Sequence, residues 1–312
     1  MSRGAGDERS DRGGEWQDPE IPASRMPLSQ GRGAGSTSAE RSRSRPGQKR
    51  ASEHKSRAPM SDRDDTRVRG KRYDLNARER SVLRDIGRFR IVSMDALLKH
   101  QYGGMAAALR NEMTHLRQQG LVQKRSISVG KNRDTLVIVS LTREGARFAR
   151  RDENLAARQA VYSGFVKPAE VPHDAAIYEM YQAEARRIEA RGGTIHRIVL
   201  DYELKKEVYS KLARTRDSGA LEYAQRQQEI ADEQCLPIVD GRIALPDLRI
   251  EYETPEGDPD RVDLELATEH YHRGHMDAKA RAGFKMYGFV STSRGHRAQW
   301  EGRELTAAVL AL

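Results

Sequence analysis

The sequence predicts an α+β fold: a disordered basic tail, a small helical unit that closes on a β-hairpin, and a larger α/β unit with a mixed central sheet. Three observations carry this prediction. Residues 1–72 hold one aromatic side chain, Trp16, and too little apolar surface to offset the entropy of ordering. Residues 73–151 keep helical apolar spacing and then turn to two β-rich runs around a Gly/Asn/Asp turn. Residues 173–300 interleave helical stretches with strands on which apolar and charged side chains alternate. Residues 152–172 form a linker, and 301–312 a C-terminal segment.

The chain has 312 residues, with Lys+Arg 55 against Asp+Glu 46 and a formal charge of +9. Hydrophobic residues make up 37%, a low share that also argues for keeping part of the chain outside any core. Apolar runs such as 137–141 fall far short of the roughly 18–20 residues a membrane-spanning helix needs. The amino end lacks the apolar stretch of a secretory signal. Cys235, the lone cysteine, excludes an internal disulfide and a cysteine-cluster zinc site. These features predict a cytoplasmic protein with no membrane partner.

Charge is unevenly placed. Residues 1–72 carry 17 basic and 11 acidic side chains, 73–150 carry 15 and 7, and 151–312 carry 23 and 28. A polyanion is therefore the expected partner of the first half only. The tail's basic focus, Arg41-Ser-Arg-Ser-Arg45 with Lys49 and Arg50, reads equally as a nucleic-acid-attracting arm or a solubilising tail. The acidic rear reads as a carboxylate cluster around a metal or active site, or as an ordinary solvated surface.

Order is expected from about Tyr73. Asn76 can cap a helix with Val82, Leu83, Ile86 and Phe89 at helical spacing. Ser93 caps a second, short helix with Met94, Leu97 and Leu98 inward, broken by Gly103-Gly104. A third helix, 105–119, carries Leu109, Met113 and Leu116 on one stripe and ends at Gly120. Runs 121–128 and 135–141 are strands joined by Val129-Gly-Lys-Asn-Arg-Asp134, and Thr142 caps a closing helix, 143–151. Three helices, a basic hairpin and a helix make a winged helix-turn-helix.

With Leu109, Met113 and Leu116 inward, Asn111, Thr114 and Gln118 point outward, flanked by Arg110 and Arg117. Asn and Gln can pair bidentately with adenine, and Arg suits guanine or phosphate. Lys131 and Arg133 at the hairpin tip suit backbone or minor-groove contact. Double-stranded DNA is the expected partner on this basic footprint, with packing against a protein as the alternative.

In the rear unit, 173–191 reads as an amphipathic helix, 195–200 as a strand, and the highly charged 203–234 as a helical insertion. A hairpin over 238–245 precedes two strands, then a helix over 276–287 and a strand at 289–292. Asp247, Arg249, Glu251 and Glu253 share one strand face, with Leu248, Ile250 and Tyr252 opposite; Asp263 and Glu265 share a face of the next strand. Pairing the two strands can set Asp247 beside Glu265. Two carboxylates that close repel unless a cation lies between them, and oxygen ligands suit Mg²⁺ or Mn²⁺. Such an ion could polarise a phosphate and activate water.

Leu109-Arg-Asn-Glu-Met-Thr-His-Leu-Arg-Gln-Gln-Gly-Leu-Val122 resembles the recognition helix and first wing strand of winged-helix proteins, and Leu141-Thr-Arg-Glu-Gly145 resembles the start of their post-wing helix. Pro246-Asp247 and Glu265 on successive strands resemble the restriction-endonuclease-like PD-(D/E)xK core. The whole order, with His173-Asp174 opening the rear unit, is similar to the replication-relaxation proteins of plasmids and integrated mobile elements, over about residues 75–292. The resemblance implies a role in replication, mobilisation or its control. The nuclease pattern has a lysine two residues after the glutamate, where this chain has Ala267. Lys279, on the following helix, can supply that amine or point into water.

Other candidates are weaker. His270, His272 and His275 could join a carboxylate around Zn²⁺ or Mn²⁺, touch phosphate, or be exposed loop residues. Glu184 is a candidate accessory acid, with Glu179 in competition. Walker, dinucleotide-binding, His-Glu-x-x-His and nucleophile-elbow patterns are absent from the sequence. Three functions follow: a DNA-binding protein of a mobile element, partnered by a second copy or another element protein and carrying an inactive nuclease-like domain; a Mg²⁺-dependent endonuclease using Asp247, Glu265 and Lys279; and a transcriptional regulator, which leaves the acidic rear unexplained.

Overall fold

A computed structural model describes residues 63–68, 70–129, 134–215, 219–267, 273–291 and 300–304. It opens on an antiparallel hairpin, β1 (Arg63–Val68) and β2 (Lys71–Asn76), turned at Gly70 with φ +80. Order thus begins ten residues earlier than Tyr73, a correction to the expected 1–72 tail. Val68, Tyr73 and Leu75 supply the reason, since all three are buried in the core. The Tyr73 ring meets Phe148 edge-on at 5.3 Å, and its hydroxyl donates to Glu144 at 2.9 Å.

Asn76 ends β2 and caps α1 (Ala77–Arg88) in a reciprocal capping box with Glu79. Val82, Leu83 and Ile86 face inward. β3 (Val92–Ser93) leads into α2 (Met94–His100), where the Ser93 hydroxyl accepts from the Ala96 N–H. Next come α3 (Ala106–Gln118), ended by Gly120 at φ +75, and the strands β4 (Val122–Val129) and β5 (Asp134–Leu141). Those strands pair antiparallel, and β3 adds to the free edge of β5, giving the order β3-β5-β4. α4 (Arg143–Ala149) is capped by Thr142, whose hydroxyl accepts from the Gly145 N–H at 3.0 Å.

Gly145 is there for space. A Cβ on it would stand 1.9 Å from the Leu121 carbonyl oxygen, an encounter with backbone rather than with a flexible side chain. Gly145→Ala should therefore exceed the usual overpacking cost of about 1–3 kcal/mol. Thermal unfolding is expected to show a midpoint lowered by roughly 6–12 °C; an unchanged midpoint contradicts the close approach.

The rear half is built on α5 (Val171–Ala190), a twenty-residue helix lying against a mixed five-stranded sheet of order β12-β11-β10-β9-β6. After α5 come β6 (Thr194–Leu200), α6 (Asp201–Leu212), α7 (Ala220–Glu233) and a two-residue-per-strand hairpin, β7 (Ile238–Val239) with β8 (Arg242–Ile243). Then follow β9 (Leu248–Glu253), β10 (Pro259–Ala267), α8 (Arg273–Arg281), β11 (Lys285–Ser291) and β12 (Trp300–Glu304). β9 runs antiparallel to both β6 and β10, while β10 and β11 are parallel and joined through α8. The charged stretch 203–234 falls mostly in two helices, α6 and α7.

One core runs through both halves. Phe89, just after α1, packs its ring 5.0 Å from Tyr178 and 5.1 Å from Tyr181 of α5, and the Tyr178 hydroxyl donates to Asp85 at 3.1 Å. The expected linker is packed as well: the Gln159 amide donates to the Ile198 carbonyl and accepts from its N–H, each at 2.9 Å. No described helix is long and apolar enough to cross a membrane.

Candidate functional site

Two surfaces gather residues singled out from the sequence. The first is the outer face of α3. Leu109, Met113 and Leu116 are buried, and Arg110, Asn111, Thr114, Arg117 and Gln118 are all exposed, as the periodicity requires. Glu112, the acid among them, is turned inward: Arg78 donates to it at 3.0 Å from Nε, and the buried Tyr102 hydroxyl donates at 2.9 Å. The outward face is thereby cleared of negative charge. Thr114 is partly committed, since its hydroxyl donates to the Arg110 carbonyl at 2.8 Å. Lys131 and Arg133 lie outside the described residues.

The second surface forms where β9 and β10 begin to part. The β9–β10 register pairs Leu248 with Leu264 and Arg249 with Asp263, so Asp247 lies one step beyond the last pair, at the level of Glu265. The chain leaves regular pairing there. The Asp247 N–H donates to the Leu264 carbonyl at 3.1 Å, and its Oδ2 accepts from the Leu266 N–H at 2.9 Å, replacing a ladder carbonyl. The Glu265 side chain is 1% exposed. Lys279 of α8 donates from Nζ to Glu265 at 3.0 Å and to the Leu245 carbonyl at 2.6 Å. Of the two orientations open to Lys279 in the sequence, the amine takes the inward one, and Asp247, Glu265 and Lys279 converge.

His173 completes the group, which sequence reasoning missed. It stands in the first turn of α5, with Nε2 3.5 Å from Asp247 Oδ1 and Nδ1 3.6 Å from Asp174 Oδ1. Arg90, between α1 and β3, reaches Asp174 at 3.3 Å, so a line of alternating charges runs from the front half to Asp247. The available signal was His173-Asp174 at a helix start, whose role depends on a strand about 75 residues away. Burial alone would lower the His173 pKa, but hydrogen bonds to and charges on Asp174 and Asp247 outweigh it and push it up to about 10. Burial would raise Asp247; His173, the Leu266 N–H and Lys279 together hold it below the usual carboxylate range.

These shifts have a sign. His173, raised from 6.5, contributes stability that is fully present below pH 6.5 and is lost as pH rises toward about 10. Asp247, lowered, contributes stability above the ordinary carboxylate pKa that is lost as pH falls. In chelator-treated protein the thermal midpoint should decline between pH 6.5 and 10, and His173→Gln should flatten that decline. Equal slopes in both proteins contradict the ion pair.

Glu184 goes elsewhere. Lys285 donates to it at 3.0 Å, and the Tyr287 hydroxyl donates to its other oxygen. Lys285 and Tyr287 pair with Leu264 and Leu266, so they share the α5 face of the sheet, whereas Glu265 points to the other. Glu179 is taken by His100 at 2.7 Å. His270 and His272 lie outside the described residues, as does the side chain of His275. Among the described residues no group of three His, Cys, Asp or Glu side chains is arranged for a metal. The donor chemistry of Asp247 and Glu265 nonetheless fits a hard divalent cation, which takes few protein carboxylates and keeps several waters. His173 and Lys279 stand against those two carboxylates. The chain matches no family model, no curated protein and no solved structure.

Proposed function

We propose that the chain is a double-stranded DNA-binding protein of a plasmid or mobile element, acting in its replication, mobilisation or control. In this reading residues 73–151 are a winged helix-turn-helix whose α3 enters the major groove, and the rear half is a restriction-endonuclease-like domain on the same nucleic acid. One observation carries it: five side chains suited to bases and phosphates are exposed together on α3, while its one acid is turned inward. A second copy or another element protein is the expected protein partner. Location at the nucleoid follows from DNA binding.

A second reading, a metal-dependent endonuclease, is favoured by the Lys279 amine standing at Glu265 and level with Asp247. Asp247 and Glu265 would hold Mg²⁺ or Mn²⁺, which supplies Lewis-acid polarisation of a phosphodiester and a water of lowered pKa. Lys279 donates a hydrogen bond from Nζ to Glu265 and could donate likewise to a phosphate oxygen. His173 fixes the Oδ1 side of Asp247. Supercoiled plasmid incubated with Mg²⁺ or Mn²⁺ separates the readings. Nicking lost in Asp247→Ala and in Glu265→Ala supports the enzyme; duplex binding without nicking supports the DNA-bound platform; neither binding nor nicking overturns both.

A further inference from the structure

The outer face of α6 leaves two tyrosines in water with lysines between them. Tyr202 is 56% and Tyr209 58% exposed, and Lys205 and Lys206 are exposed on the same face. Seven residues separate the rings, about 10.5 Å along a helix rising 1.5 Å per residue. The opposite face buries Leu204, Val208 and Leu212. Of the helix's three acids, Glu203 receives Arg197 at 2.5 Å and Asp201 receives Lys205 of the stripe at 2.5 Å, while Glu207 is exposed about 140° around the helix from Tyr202. Beyond Tyr202, Tyr162 meets its ring edge-on at 6.4 Å, and Arg90, paired with Glu170 and Asp174, lies 5.8 Å from the ring centroid.

The position of this stripe matters as much as its composition. The Asp201 N–H donates to the Asp247 carbonyl at 3.0 Å, so α6 starts at the carboxylate group and the tyrosines lead away from it. The core of a protein–protein interface is depleted in lysine. Lysines set between exposed rings fit instead a strand whose bases stack on the rings while its phosphates meet the ammonium groups.

We propose that the Tyr202–Lys205–Lys206–Tyr209 stripe is a stacking platform for single-stranded nucleic acid, holding a strand unpaired next to the Asp247–Glu265 site. The proposal rests on the reading of the chain as DNA-binding and adds a second, single-strand surface distinct from α3.

The test measures full-length protein against fluorescein-labelled oligo(dT) and against a labelled duplex. Tyr202→Ser combined with Tyr209→Ser should weaken oligo(dT) binding about 100-fold, roughly tenfold for each lost stack, and leave the duplex affinity and thermal midpoint unchanged. Tyr209→Phe, which keeps a ring, should stay near wild type. Lys206→Gln should lower the log–log salt slope for oligo(dT) by about 0.7, the contribution of roughly one single-strand phosphate. Leu221→Ser, at another exposed site on α7, should change nothing. The proposal is overturned if wild type ignores oligo(dT), if the double tyrosine variant binds it normally or instead loses self-association, or if Leu221→Ser weakens it equally. Duplex binding with tyrosine-independent oligo(dT) binding overturns this proposal alone. Tyrosine-dependent oligo(dT) binding without duplex binding overturns the α3 reading alone.

Discussion

Glu265→Gln is expected to reduce any Mg²⁺-dependent nicking of supercoiled plasmid by at least about 100-fold while leaving duplex affinity nearly unchanged. The size follows from position. A group one shell outside a metal is commonly worth roughly 10–100-fold, and Glu265 would be a ligand itself. Glutamine keeps the shape of a side chain that is 1% exposed, and Lys279 retains the Leu245 carbonyl at 2.6 Å, so the site need not collapse. Alanine would leave the Lys279 amine, itself only 15% exposed, facing a void. Lys279→Met should cut the rate without removing the carboxylate pair, and a variant that loses nicking yet still binds metal separates the amine's role from the ion's. If nicking survives Glu265→Gln, the Glu265 carboxylate has no part in it.

Replacing Arg110 and Arg117 together by alanine should weaken duplex binding by at least about tenfold and lower the log–log salt slope by about 1.8, because each neutralised phosphate contributes roughly 0.9. Both side chains are exposed on α3, so the fold should be untouched. Adding Arg133→Ala should lower the slope by about another 0.9. Asn111→Ala and Gln118→Ala act differently: base contacts set discrimination, so these should narrow the gap between good and poor sequences more than they change the salt slope. An unchanged slope in the arginine variant would place the DNA on another surface.

Local chemistry made much of this legible in the sequence. Asn76, Ser93 and Thr142 cap helices through their own side chains, and Gly120 takes the left-handed backbone that ends α3. Each depends on neighbours a few residues away. The alternation around Asp247 and around Glu265 is likewise local, and pairing the two strands as neighbours sets the two carboxylates at one level. What depended on distant partners was harder to read. Lys279 sits at the edge of its helix stripe, and only the parallel β10–α8–β11 crossover turns its amine toward Glu265. The choice between Glu184 and Glu179 as an accessory acid stays open in the sequence, and Glu184 lies away from the pair because eleven residues of helix carry it about 16 Å from His173. The β1–β2 hairpin was hidden by composition: Asp64, Asp65 and Arg67 make the stretch look solvated, although Val68, Tyr73 and Leu75 anchor it. His173 showed no periodic signal, since its meaning depends on a strand far along the chain.

The most direct measurement is fluorescence anisotropy of labelled duplexes of varied composition titrated with the intact chain in dilute buffer. Saturable binding whose affinity falls log-linearly as salt is added, more steeply for wild type than for the Arg110/Arg117 variant, is the predicted result. A flat anisotropy signal with every duplex would contradict the account.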